Sequence, residues 1–295
     1  MQFKWRSIFG QFLLTIVSIS LILCLPVLLT NKGKLSFQPG AYIEYLKDTF
    51  TKMMHYKDIT YQSWVMGKVR EHPLFPDILD PYFYSLTILT SSFLVALLIA
   101  VILSTFYLLS PAVIKKGGKA ILFVLESMPD IMIILSLQLL LIWFFKQTDF
   151  MPFRVITFAD KRAYVLPILC LSLLPTIQLF RMLILYLEDE QNRPYVEVAK
   201  GKGLSRLHII VFHLFRNVLI HLFHHSKTIF MFMLSNLFVL EFVFNINGIM
   251  RFLLFHVEPH ISIIVIVMLF LPFYLLFIAG ALLVKRMNQS ERIEL

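Results

Sequence analysis

The chain has 295 residues, of which 58% are hydrophobic and only 15% charged, with a formal charge of +9. An ordinary soluble domain is about 45–50% apolar and about 25% charged, and a single water-soluble core does not hide this much apolar surface. The composition excludes a secreted disulfide scaffold, a disordered tail and a conventional cytosolic enzyme, and it points to several membrane spans.

In chain order, Ser7 to Asn31 carries no acid and no Lys or Arg. Lys4 and Arg6 precede it, but its apolar part exceeds the ~7–15 residues of a signal core. Leu21-Ile22-Leu23-Cys24 faintly resembles a lipoprotein box, yet Leu23 is too large for the position before the cysteine, so an uncleaved first span is expected. Residues 31–80, rich in Tyr, Lys and Asp, form a polar excursion. Pro81 to Ile114 follows, long enough for a tilted span and a tail. Ala120 to Phe145 is apolar except for Glu126 and Asp130; Ala163 to Leu187 is interrupted only by Arg181; Thr228 to Leu240 continues past Glu241; Pro259 to Val284 is the last. Each reaches or approaches the ~20 residues that cross a ~30 Å hydrocarbon layer as a helix. None alternates apolar and polar residues as barrel strands do.

The expected fold is therefore all-α and polytopic, with six transmembrane helices. Residues 1–30 are the N-terminal span and 31–80 an extracytoplasmic segment. Residues 81–287 are a five-helix core with a cytoplasmic loop at 188–220, and 288–295 a tail. Basic residues gather at Lys4 and Arg6, at Lys115, Lys116 and Lys119, between Arg193 and Lys227, and at Lys285, Arg286 and Arg292. Cytoplasmic loops are enriched in Lys and Arg, so both termini are placed in the cytoplasm and the protein in the cell membrane. The positive charge reports orientation; no nucleic-acid partner is implied. Cys24 and Cys170 sit in separate apolar runs and read as buried apolar residues.

The loop after the fourth span is the most informative stretch. Pro194 suits the first turn of a helix, and residues 195–200 are predicted to continue it. Gly201 and Gly203 can end it, because glycine accepts positive φ and close approach. Ser205 suits the N-cap of the next helix, which runs from Arg206 into the fifth span. A short helix, a glycine turn and a second helix make a compact knob with Leu204 near its apex.

Glu197, Ala199 and Gly203 reproduce the E-x-A-x-x-x-G core found in the membrane subunits of binding-protein-dependent ABC importers, and the chain resembles that family. Lys202-Gly203-Leu204-Ser205, then His213-x-x-Arg216-Asn217, is similar to its peptide/nickel permease branch. So is Glu241-Phe242-Val243-Phe244 followed by Asn247-Gly248-Ile249. Pro129 falls where this branch has a Ser-x-Pro, and Arg181 matches an arginine closing the fourth span. The resemblance covers residues 80–285 or so. It departs from the branch at Ile220-His221, where a proline is usual shortly after Arg-Asn, and at Asn247, where Pro-Gly has become Asn-Gly.

The resemblance implies a type I importer permease, half of a translocation pathway, with no catalytic residue or metal of its own. The knob would be a coupling helix. Glu197, Ala199, Gly203, Leu204 and Ser205, with Arg216 and Asn217, would form the loop joined to a cytoplasmic ATPase. It also implies a second homologous permease, two ATPases that hold the ATP and Mg, and an extracytoplasmic substrate-binding protein, all around a lipid bilayer. No cofactor is expected in this chain, which lacks a phosphate-binding Gly-x-x-x-x-Gly-Lys-Ser/Thr.

Glu126 and Asp130, four apart in an apolar run, are predicted on one helix face. Intramembrane acids are costly and tend to face a cavity, a partner or a pathway. With Glu241 they are the candidate polar residues of the translocation route; Arg181 is expected to snorkel to the interface. Two other functions stand beside transport. His221-Leu222-Phe223-His224-His225 spells the H-x-x-H-H of di-iron desaturases and hydroxylases, and imidazole suits iron; only one such box is present, however. The departures at His221 and Asn247 also fit a degenerate permease acting as a membrane scaffold or sensor.

Overall fold

The computed structural model describes residues 5–31, 34–65, 68–148 and 162–291. By internal packing the chain forms two units, one of residues 1–84 and 248–276, the other of 85–247 and 277–295. Six helices are long and apolar enough to cross a membrane among the described residues: Phe12–Leu29, Leu74–Leu109, Ile131–Thr148, Val165–Glu190, Arg206–Val243 and Pro259–Leu282. A helix closes its backbone hydrogen bonds within itself, which a hydrocarbon layer requires.

In the first unit, α1 (Trp5–Leu29) is the N-terminal span. A two-residue pairing of β1 (Thr30–Asn31) with β2 (Lys34–Leu35) turns the chain into α2 (Pro39–Met54), which opens on Pro39. A 3-10 turn at Tyr56–Asp58 leads to an antiparallel hairpin of β3 (Thr60–Val65) and β4 (Lys68–Pro73), in register from Thr60 opposite Pro73 to Val65 opposite Lys68. The polar 31–80 segment is thus folded, with strands that its composition does not announce. After the short α3 (Leu74–Asp77) comes the span α4 (Leu79–Leu109), most of which, from Ser85 onward, belongs to the second unit. Within the first unit Tyr61 of the hairpin packs edge-on against Phe252 of α11 (Ile249–Phe255) and against His256, the residue just after it, at 5.2 and 4.8 Å between ring centroids, and donates its hydroxyl to Asp77.

In the second unit, α5 (Ala112–Glu126) and α6 (Asp130–Thr148) are separate helices. This corrects the single span expected over residues 120–145. Pro129 lacks an N–H and disfavours helical backbone in the residue before it, so the helix stops at Glu126 and restarts at Asp130. The two acids therefore do not share one helix face. The span α4 stops at Leu109, just before Pro111.

The span α7 (Val165–Glu190) has the largest buried share, 56% of its apolar window, which makes it the central helix of its unit. It packs on α10 (Phe215–Val243), and Leu183 and Leu187 of the one helix and Met233 and Leu237 of the other are buried. Lipid tails are as apolar as these side chains, so close packing rather than water exclusion holds the pair. Between them run α8 (Pro194–Gly201), the single turn α9 (Arg206–His208) and a π-helical stretch at Ile209–Leu214 that continues into α10. The last span is α12 (Pro259–Glu291).

Candidate functional site

The knob forms as its residues predict. Arg193 is extended and Pro194 opens α8. The helix closes in a Schellman motif. Gly203, at φ 79°, donates its N–H to Lys200 O at 2.9 Å, and Leu204 N–H reaches Ala199 O at 3.3 Å. This arrangement satisfies two carbonyls at the helix end and places glycine at the left-handed position. Ser205 then caps the next helix, its hydroxyl accepting the His208 N–H at 3.3 Å.

Two faces result. Val196 and Ala199 are buried against the chain, while Glu197, Val198, Gly203 and Leu204 are exposed. Of the residues expected to join the ATPase, Ala199 is buried, and α8 packs on the π-helical stretch. Val198 is 59% exposed and Leu207 51%, so the knob presents an apolar surface beside Glu197.

The knob is fastened at three points. Glu190, the last residue of α7, accepts from Tyr195 Oη and from Asn217 Nδ2, both at 2.9 Å. Arg193 lies 3.7 Å from the same carboxylate. Arg206 donates to Leu108 O at 2.7 Å, occupying a carbonyl in the last turn of α4 that has no partner within its own helix. Glu188 accepts from Tyr107 Oη at 2.8 Å and from Lys119 Nζ at 3.0 Å, linking α7 to α4 and α5. Burial and the Glu190 bond push the Tyr195 phenol up to about 12, and the Glu188 bond raises the Lys119 ammonium above its ordinary value.

Glu188, Glu190, Tyr195 and Arg206 were not singled out by motif. A signal was nonetheless present, since Glu188-Asp189-Glu190 places three acids at a helix C-terminus, against the helix dipole. Carboxylates in that position require cationic or hydrogen-bonding partners, and these ones have them. Arg216 is exposed.

The polar residues expected on the route separate into different settings. Glu126 pairs with Arg181, which reaches across from α7, so that arginine has a specific partner. The pair borders a cavity of about 590 Å³ together with Gln178, Tyr186, Asp189 and His225. The side chain of Asp130 lies outside the described residues. Glu241 is fully buried and accepts the Ser85 hydroxyl.

The histidines of the H-x-x-H-H run do not converge. His221 stacks on Tyr186 at 4.5 Å, His224 Nδ1 is bonded to Ile220 O at 2.7 Å, and His225 borders the cavity. Among the described residues no three His, Cys, Asp or Glu side chains are grouped to hold a metal ion.

Six apolar helices, with a short helical knob between the fourth and fifth, mark a multi-pass membrane protein. The sequence pattern of the binding-protein-dependent transport system inner membrane component matches residues 64–289. The chain belongs to that family, whose members are permease subunits of ABC importers. No curated protein matches it.

Proposed function

We propose that the chain forms one membrane half of an ATP-driven importer for peptides or a related small solute, nickel-type complexes included. The second half is a homologous permease. Two ATPases bind on the cytoplasmic side and a substrate-binding protein delivers cargo from the other. Both termini are cytoplasmic in this reading, and the N-terminal span lies ahead of the residues that the family pattern matches.

The observation that carries the reading is the knob: a short helix with an exposed Glu197–Val198–Leu204 surface, closed by a glycine at positive φ and fastened to α4, α7 and α10. Closure of the ATPases must move membrane helices, and a connector fastened at three points passes that motion on instead of absorbing it. Alternating access follows. ATP binding draws the ATPases together, the knobs shift, and the route opens outward to receive substrate; hydrolysis resets it.

The test is a substitution series at Gly203. An added Cβ meets nothing within 4 Å, so the backbone conformation alone is strained. Gly203→Val is expected to abolish ATPase co-purification and peptide uptake with membrane insertion intact. Gly203→Asn, which tolerates left-handed backbone better, should retain part of both. Normal uptake in Gly203→Val overturns the coupling role.

A further inference from the structure

The strongest unexplained feature is α2, which has three distinct sides. One faces α1: Thr49 is 2% exposed with its hydroxyl 3.8 Å from Cys24 Sγ, and Tyr42 Oη donates to Leu21 O at 2.9 Å. A second is polar and carries Glu44, Asp48 and Lys52 four residues apart, with Lys52 paired to Asp48 at 2.9 Å. Lys52 borders a polar cavity of about 270 Å³, shared with Gln62 and Glu71 of the hairpin and with Glu258. The third is apolar and open. Ile43, Phe50 and Met54, spaced seven and four apart, are 54%, 37% and 81% exposed.

Depth decides what covers this third side. Leu21 lies eight residues before the end of α1 at Leu29, about 12 Å inside the helix end at 1.5 Å per residue. Cys24 lies about 7.5 Å inside it by the same measure. Both belong to the apolar window Phe12–Leu29 that makes α1 a span. Tyr42 and Thr49 are therefore held at the level of that window, not beyond it. A helix fixed there, with one apolar flank and a charged flank whose Lys52 borders a polar cavity, has the amphipathic pattern of an interfacial helix.

We propose that α2 lies in the boundary layer of the bilayer, with Ile43, Phe50 and Met54 against lipid acyl chains. Lipid, rather than a protein partner, is the occupant because α2 is bonded directly to α1, whose Ile22, Leu25 and Leu29 are themselves 65%, 40% and 44% exposed. The two helices offer apolar surface at the same depth. Lys47, exposed at the edge of the apolar flank, has a stem long enough to carry its charge to the headgroups. Apolar side chains then sit about 5–10 Å into the headgroup–acyl boundary. The inference rests on α1 being a span.

Spin labelling of the full chain in phosphatidylethanolamine–phosphatidylglycerol nanodiscs tests it. Cys24 and Cys170 are buried, and the parent chain measures their background labelling. Nitroxides are placed at Ile43→Cys, Phe50→Cys and Met54→Cys, at Glu44→Cys and Asp48→Cys, and at Ile22→Cys on α1. Collision with oxygen is compared with collision with a water-soluble nickel chelate. The expected result is a several-fold higher oxygen-to-nickel ratio at 43, 50 and 54 than at 44 and 48, approaching that of Ile22→Cys. Nickel access at 43 and 50 equal to that at 44 overturns the proposal. So does immobilisation with shielding from both reagents, which marks a protein-covered flank. A lipid signal at Ile22 alone rejects the placement of α2 while keeping α1 as a span; a water signal at Ile22 rejects both. Met54→Cys, at the most exposed position, keeps the test readable should substitution at Phe50 disturb the fold.

Discussion

Ser85 on α4 donates its hydroxyl to Glu241 on α10 at 2.5 Å, and neither side chain is exposed. The two residues are 156 positions apart, so the bond fixes one span against another within their unit. A carboxyl group placed inside a membrane bundle is costly unless it is bonded. Within this chain, Glu241 is a tie between helices. Ser85→Ala is expected to lower thermal stability in detergent by about 0.6–1.7 kcal/mol, the scale of an interhelical hydrogen bond in membranes. Glu241→Gln, which keeps an acceptor, should cost less than Glu241→Leu. Equal stability of all three variants would remove the tie from the account.

Glu126 and Arg181 pair across the edge of a cavity. The arginine side chain is 60% exposed, and such pairs contribute only about 0.2–1 kcal/mol to stability. Its replacement should therefore act on transport rather than on folding. Under the proposed function, Glu126→Gln is expected to reduce substrate uptake several-fold at unchanged protein level and ATPase association. The exchanged pair Glu126→Arg with Arg181→Glu should recover part of the loss. Unchanged uptake in Glu126→Gln would show that the cavity is not on the route.

Glu126 also shows where sequence reading stops. Spans are legible because membrane crossing demands long runs without charge, and all six have counterparts among the described helices. The knob was legible because proline, glycine and serine each have a preferred place at helix ends, and Pro194, Gly203 and Ser205 occupy those places. The pairing of Glu126 was not legible: apolar continuity over residues 120–145 concealed the stop imposed by Pro129, and its partner lies 55 residues away. The hairpin was equally hidden, because a short polar pairing such as Tyr61 opposite His72 carries no strong alternation of its own.

Tyr195 gives a pH dependence with a definite sign. Its phenol is pushed up to about 12 in the folded protein, first by burial and then by its bond to Glu190. In the unfolded chain a phenol titrates near about 10. Its contribution is therefore full below about 10 and falls as pH rises toward about 12, since the unfolded state releases its proton first. Tyr195→Phe is expected to flatten this part of the alkaline unfolding profile, and Glu190→Ala to reduce its slope. An alkaline profile identical in Tyr195→Phe and the parent chain would contradict the assignment.

Gly280 on α12 faces the ring of Phe223 on α10 so closely that an added Cβ would overlap the ring edge. Small residues let transmembrane helices approach in this way. The ring has limited room to retreat, since Phe277 lies 5.9 Å from it between centroids and Phe230 packs against Phe277 at 6.2 Å. Gly280→Ala should therefore overpack the contact and destabilise the protein by about 1–3 kcal/mol. Shortening the opposing side chain supplies the control: Phe223→Ala alone leaves a void, but combined with Gly280→Ala it gives the new methyl group space. The double variant is expected to be more stable than the sum of the two single losses predicts, as measured by thermal unfolding in one detergent. Strict additivity would mean that the two residues do not meet, and the approach of α10 to α12 would have to be fixed by other contacts.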